Sequence, residues 1–276
     1  MNIIGLGKAG CAIAEMFKQY KQYDVLQIDS SKDYENQFVI EKRSTSELYD
    51  SMPVKIKIAN NDEILIFMCG SGKISGATLR VLENFKDRDI FLYYIFPKLD
   101  LLDKKSKLRN RAHCSILQEF ARSGVFKKMF IFRNDNLKDI VGNTSVIDFY
   151  KKINELIFNS IHMLNFFSNS KPVFDTFQDD LNTCRISTIS SVDIETGLEK
   201  DFFSLKNVNQ IKYFFGVNRL RIEEDEELLS NVEKLSTSNA HEECIASYGI
   251  YETSYDYDFC LAIKSTAEIQ TIEKEK

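Results

Sequence analysis

Two glycine-rich stretches carry the residue types that could grip a phosphate. The chain opens MNIIGLGKAGCAIAEMF, where Gly5, Gly7 and Gly10 spell G-x-G-x-x-G between a short apolar run and an amphipathic stretch. Glycine lets the backbone approach a phosphate and take positive φ, and a helix N-terminus supplies free N–H donors and a partial positive charge. Asp29 ends the next apolar run, where a carboxylate would hydrogen-bond a ribose hydroxyl of NAD. A dinucleotide site and a ligand-free tight turn both fit this stretch alone. The second stretch, Cys69-Gly70-Ser71-Gly72-Lys73-Ile74-Ser75-Gly76, is another phosphate-cradle candidate. It is not a Walker A loop, because the order G-x-x-x-x-G-K-[ST] is absent. A Rossmann dehydrogenase needs no second loop, whereas a fold gripping one nucleotide's phosphates from two sides does.

Other chemistry has little to work with. The only histidines are His113, His162 and His241, and the six cysteines (Cys11, Cys69, Cys114, Cys184, Cys244, Cys260) include no C-x-x-C pair. That usage predicts reduced, buried thiols, no metal site and a cytoplasmic protein. A formal net charge of −5 argues against a broad nucleic-acid surface. No segment approaches the ~20 apolar residues of a membrane span, so no membrane insertion is expected.

The elements that must position these loops are legible as patterns. Residues 2–5, 24–31, 63–70, 89–96 and 127–132 read as strands, with 55–59 a further short candidate; 9–20, the stretch after Gly76 and 106–122 read as helices. Helix 9–20 puts Ile13, Met16 and Phe17 on one face. Alternating strand and helix predicts a doubly wound, mainly parallel α/β sheet. In residues 145–168, Val146, Phe149, Ile153, Leu156, Ile157, Ile161 and Leu164 recur at helical spacing, with Phe158 and Met163 opposite. This predicts a long central helix buried between two units and stopped before Pro172. Later come the strand candidates CRISTISSV, IKYFFGV, ECIASYGIY and FCLAIKSTAEI. The acidic run 221–235 reads as one solvated helix with Ile222, Leu228, Leu229 and Val232 inward, and the charged tail EIQTIEKEK is expected to fray. The expected organisation is a nucleotide-binding domain at 1–144, the central helix at 145–168, and a smaller α+β mixed-sheet domain at 169–276.

The order of these motifs resembles the tubulin superfamily, with its bacterial and archaeal relatives FtsZ and CetZ. Gly70–Gly76 matches the family loop G-G-G-T-G-[ST]-G at its first, third, sixth and last positions. GLGKAGCAIAEMF looks like the first loop of the CetZ branch. IDSS at 28–31 stands where the family has an N-[ST]-D-type loop, FRNDNL at 132–137 resembles P-N-D-x-L, and IDFYKKINE at 147–155 resembles D-x-F-x-x-x-N-[DE]. IASYGIYETSYDYDFCLAIKSTAEI resembles the closing hairpin of the second domain.

The resemblance implies GTP or GDP at the carboxyl ends of the parallel strands, with Mg2+ as a candidate companion. By matching position, Gly7, Lys8, Ala9 and Gly10 would wrap the α/β-phosphates, and Gly70, Ser71, Gly72 and Ser75 would meet the β/γ-phosphates. Tyr150 would stack on guanine, Asn154 would bond its edge with Glu155 beside it, and Asp29 would sit near ribose or base. Arg109 or Arg111 would take the place of an arginine that contacts ribose or phosphate. Two departures stand out. Lys73-Ile74 replaces the central T-G: Lys73 could neutralise a γ-phosphate, but isoleucine is an odd occupant of a loop wanting positive φ. The acidic motif N-x-D-x-x-D, which in FtsZ enters the neighbouring subunit's site, is replaced by KPVFDTFQDDLNT. There Asp175, Asp179 and Asp180 could supply the carboxylate that orients water, although helix capping and solvation also account for them. The implied function is guanine-nucleotide binding with head-to-tail self-assembly into filaments, and assembly-stimulated GTP hydrolysis if the site is active. A non-hydrolysing scaffold or adaptor of the same fold, and an NAD(P)-dependent oxidoreductase, are the alternatives.

Overall fold

The computed structural model describes residues 1–58, 63–238, 240 and 242–271. Two compact units form, Met1–Phe158 and Asn159–Gln270. The first is built from β1 (Asn2–Leu6), α1 (Gly7–Phe17), β2 (Asp24–Asp29), β3 (Phe38–Val39), α2 (Ser46–Asp50), β4 (Glu63–Cys69), a 3-10 turn (Lys73–Ala77), α3 (Thr78–Leu82), β5 (Asp89–Phe96), α4 (Lys104–Arg122), β6 (Lys128–Arg133) and α5 (Asn134–Val141). Its strands run parallel in the order β3-β2-β1-β4-β5-β6. Strands in such a sheet are covered on both faces and read as continuous apolar runs. Accordingly β1 is wholly buried, as is β4 from Ile64 to Met68.

In-register pairing stacks Phe67, Tyr93 and Phe130 across β4, β5 and β6, each ring pair 4.8 Å apart. Phe17 of α1 lies on this ladder, 5.5 Å from Phe67, and so fixes the helix against the sheet. Aromatic pairs of this kind add about 0.5–1.5 kcal/mol beyond their area burial.

The second unit holds β7 (Phe174–Asp175), β8 (Ile186–Val192), β9 (Glu199–Asp201), β10 (Gln210–Asn218), α7 (Arg219–Glu224), α8 (Leu228–Thr237), β11 (Ile245–Thr253) and β12 (Phe259–Thr266). The chain enters it along α6 (Phe149–Ser168). Strand order is β8-β12-β10-β11-β7, with β9 on β8; among the described residues of this unit only β10 and β11 pair in parallel. Tyr213, Phe215, Val232, Ile250 and Ala262 form the centre of its core. Lys264 is nearly buried and pairs with Glu199 and, at 2.7 Å, with Asp201, which ties β9 to β12.

Several expectations are corrected. The long helix begins at Phe149, not at 145, because Ser145 and Asp148 bond each other in a turn ahead of it. Val146 is therefore 93% exposed instead of lying on the apolar face, as is its neighbour Ile147 at 92%. The acidic run forms two helices, since the backbone turns extended at Asp225 (φ −90°, ψ 95°) and so ends α7. Ile222 is partly buried, Leu228 and Val232 are buried, and Leu229 is exposed. The closing pair is no hairpin, because β10 lies between β11 and β12. Residues 55–58 form no strand, and Ala59 lies outside the described residues. Of the tail, Gln270 is buried and bonds both backbone groups of Lys206, so the chain is held at least that far; residues 272–276 lie outside the described set, as does His241. All six cysteines are free, and only Cys69 is not buried. No described helix is long and apolar enough to cross a membrane.

Candidate phosphate-binding site

The sheet order itself places a crevice. Between β1 and β4 the winding of the parallel sheet reverses, and open α/β sheets bind ligands outside the carboxyl ends of the strands at such a point. Leu6, the last residue of β1, pairs with Met68 of β4. Gly7 and Gly70 therefore leave neighbouring strands one and two residues beyond that pair, and the two glycine loops meet. A Cβ built on Gly7 would lie 3.0 Å from Ile74 Cγ2.

The first loop is shaped by backbone contact. A Cβ on Gly5 would strike the Gly10 carbonyl, and one on Gly10 would strike the Phe67 carbonyl, so these two glycines let α1 lie directly on β1 and β4. Gly7 has φ +72°, a conformation open to glycine. Leu6 precedes α1 without a side-chain cap, and the first turn contains no acid. The N–H groups of Gly7, Lys8 and Ala9 thus have neither intrahelical acceptors nor a capping side chain, and the helix dipole favours an anion there. Lys8 is exposed on the same turn.

The second loop is shaped by side chains. Gly70 is required because the Tyr94 hydroxyl occupies the space where a Cβ would stand, with Asn110 Oδ1 2.6 Å from that point. Tyr94 in turn donates to Asn110 Oδ1 at 2.9 Å. Gly76 lies against the Ser46 carbonyl at the start of α2. Ser75 is buried, and its hydroxyl donates to the Gly72 carbonyl at 2.6 Å, with the Gly70 carbonyl at 3.2 Å. It therefore ties the loop into a turn. Lys73–Ala77 is 3-10, and no described residue of the loop has positive φ, so Ile74 is accommodated without backbone strain; the expectation of a misfit is corrected. Lys73 and Gly72 are exposed.

Of the two arginines, Arg109 reaches this loop. Its Nη2 donates to the Ser71 carbonyl at 2.8 Å and to Ser106 Oγ at 3.0 Å, while Arg111 is exposed on α4. Asp29 ends β2 at the carboxyl edge, 7% exposed, and accepts from the Ser30 N–H at 2.6 Å. Buried beside Asp29, the Cys11 thiol is pushed up to about 12, first by desolvation and then by that carboxylate. Tyr150 and Asn154 lie one turn apart on α6, Tyr150 59% exposed and Asn154 partly buried, with Glu155 next to it 3.9 Å from Lys151.

The three acids lie in the second unit and are not equivalent. Asp175 accepts from the Phe177 N–H at 3.2 Å, and Asp180 pairs with Lys212 at 2.7 Å. The Asp179 carboxylate has no hydrogen-bond or ion-pair partner among the described residues. Tyr94 and Asn110 carry no local mark of this role in the sequence. The available signal was Asn110 on the buried stripe of α4 that also carries Cys114, Leu117, Gln118 and Ala121.

No family model matches the chain, and no curated relative does. Solved structures do. The chain is 14% identical to TubZ in a GTPγS-form protofilament from Bacillus thuringiensis serovar israelensis, with 96% of this chain and 86% of that one covered at a TM-score of 0.74. CetZ2 from Haloferax volcanii, in a GTPγS-bound protofilament, is 13% identical over 96% and 92% of the two chains at 0.66. An empty FtsZ dimer from M. jannaschii is 11% identical over 97% and 88% at 0.66. Across almost its whole length, the chain has the tubulin/FtsZ fold.

Proposed function

We propose that this protein binds a guanine nucleotide between its two glycine loops and assembles head to tail into filaments. One observation carries the reading: two glycine loops converge at the carboxyl ends of adjacent strands β1 and β4, beside the uncapped first turn of α1. The protofilament structures that share the fold, in GTPγS, GDP and GTPγS-bound forms for TubZ and CetZ2, support the nucleotide and the assembly.

The residues fit an oligophosphate. The backbone N–H groups of Gly7, Lys8 and Ala9 would hold the α/β-phosphates, with Gly10 seating that turn on β4, and Gly70, Ser71 and Gly72 the β/γ-phosphates, with Lys8 and Lys73 as exposed cations. Ser75 serves the site by holding the turn. Arg109 positions Ser71, and Arg111 remains the alternative phosphate contact. Asp29 would meet the ribose or base, with Tyr150 and Asn154 on the guanine. The bound nucleotide supplies negative charge and a labile terminal phosphate; Mg2+, where it accompanies that phosphate, is held mostly by water and phosphate oxygens. Head-to-tail contacts of this kind do not close and so propagate. Of the acids that would orient water across such a contact, Asp179 is the best placed, because Asp175 and Asp180 are engaged locally.

A second reading, a non-hydrolysing scaffold of the same fold, is favoured by the Asp180–Lys212 ion pair and by Ile74 standing over Gly7. The deciding experiment identifies the nucleotide that co-purifies and measures its turnover against protein concentration. GTP or GDP with a rate rising steeply with concentration is expected. Retention of NAD with no guanine nucleotide overturns the reading, and filaments indifferent to nucleotide favour the scaffold.

A further inference from the structure

The first turn of α4 runs against its own helix. Cations are favourable at a helix C-terminus and unfavourable at an N-terminus, yet Lys104, Lys105 and Lys107 open α4 and no acid stands in that turn. Local stability does not account for them. Lys105 favours the ionised Glu47 carboxyl of α2. Lys98, Lys104 and Lys107 are exposed, with no hydrogen-bond or ion-pair partner for their side chains among the described residues. Of the acids between them, Asp103 is held by the Ser106 N–H and hydroxyl as the cap of α4, and Asp100 is engaged as well. Two leucines stand among these cations, Leu101 75% and Leu108 65% exposed. Lys104, Lys107 and Leu108 follow i, i+3, i+4 spacing and so share a face of the helix.

The second unit carries the complement. Around the turn between α7 and α8, Glu223 and Asp225 pair with Arg219 and Arg221. Glu224, Glu226 and Glu227 are exposed, and their carboxylates have no hydrogen-bond or ion-pair partner among the described residues. Leu220 and Leu229 are exposed on either side of them in the chain. Three unpaired cations with two exposed leucines thus match three unpaired carboxylates with two exposed leucines.

We propose that these two surfaces bind each other between copies of this chain, Lys104 and Lys107 against Glu226 and Glu227, with Leu108 packing on Leu229. Isolated exposed ion pairs contribute little, so the contact depends on covering the leucines and on relieving two runs of like charge at once. A membrane or a nucleic acid would meet the lysines and leave the carboxylate surface unaccounted for, whereas a second copy uses both. Because the two surfaces differ, the contact is heterologous, leaves one of each free at the ends and so propagates. The inference names a contact for the self-assembly proposed above and rests on that part of the reading, not on the nucleotide.

Sedimentation of the full chain, with and without GTP, tests it on three proteins: the wild type, Lys104→Glu/Lys107→Glu, and Glu226→Lys/Glu227→Lys. The wild type is expected to assemble, and less readily at high than at low salt. Each double variant alone sets like charge against like charge and should raise the concentration needed for assembly about tenfold. All four positions are exposed, so the urea midpoints should stay at the wild-type value. An equal mixture of the two variants restores opposite charge at every contact and should assemble near the wild-type threshold, a rescue that a folding defect would not allow. Leu108→Ser should raise the threshold several-fold by removing the apolar part of the contact. Either double variant assembling as readily as the wild type, or a mixture that does not recover, overturns the contact and leaves self-assembly standing. A wild type that stays monomeric throughout overturns the self-assembly reading and this contact with it. If that monomer pellets with phosphatidylglycerol vesicles while K104E/K107E does not, the lysines serve a membrane instead.

Discussion

The two glycine loops do one job by different physics. In the first, glycines remove side chains so that backbone can rest on backbone: Gly5 on Gly10, Gly10 on Phe67. In the second, Gly70 makes room for side chains from elsewhere, Tyr94 with Asn110; Gly76 rests on the Ser46 backbone, and Ser75 and Arg109 tie the turn. A loop built from main-chain contact has few ways to vary, whereas a loop held by side chains can be retuned one residue at a time.

The comparison breaks most sharply at Gly10. Gly10→Val drives a branched side chain into the Phe67 carbonyl with no flexible neighbour to yield, so stability should fall by at least about 3 kcal/mol. Urea denaturation followed by circular dichroism measures this. A variant as stable as the wild type would mean that α1 does not lie on β4 as described. The second loop should respond more gently. Arg109→Met removes a charged donor to Ser71, worth about 1.5–3 kcal/mol, and should weaken nucleotide binding about tenfold while leaving the fold intact. Equal losses in stability and binding would show that Arg109 braces the whole unit and not this loop alone.

Much of this was legible in the sequence because the relevant signals are local. Buried parallel strands are continuous apolar runs, and glycine spacing at a strand–helix junction needs no tertiary information; both loops were found that way. What was not legible depends on partners distant in the chain. Nothing near Gly70 says that Tyr94 and Asn110 will fill its missing side chain, and nothing near Ser75 says that its hydroxyl turns inward to Gly72. The start of α6 is hidden for a related reason: Val146 carries the right period, but the Ser145–Asp148 turn sets the first helical residue. Strand order in the second unit is likewise non-local, so β10 between β11 and β12 could not be read from two adjacent apolar runs.

Ser75→Ala gives a smaller effect than Arg109→Met and isolates the turn from the cation. The lost hydroxyl leaves the Gly72 carbonyl without that donor, so stability should fall by about 1 kcal/mol. Nucleotide affinity should drop by several-fold if Ser75 acts only by holding the loop, and Ser75→Thr should restore it. Failure of threonine to rescue, with stability recovered, would instead favour direct contact between Ser75 and phosphate.

The smallest effect concerns pH and again separates the loops. His113 lies one turn beyond Arg109 on α4, and its pKa is lowered, first by burial and next by Arg109, against opposing pulls from Asp50 and Glu47 on α2. The fold therefore favours neutral His113. Its contribution is fully present above the unfolded value of about 6.5 and is lost as pH falls through the lower folded value. Below that value a protonated His113 repels Arg109, the residue that holds Ser71, whereas the first loop has no histidine among the neighbours described. His113→Gln should flatten the decline of the urea midpoint between about pH 7 and pH 5 without abolishing it, because His162 on α6 is shifted in the same direction by burial. Nucleotide release should quicken on acidification in the wild type more than in H113Q. If both proteins lose nucleotide equally as pH falls, the sensitivity does not pass through α4, and the second loop is no more tunable than the first.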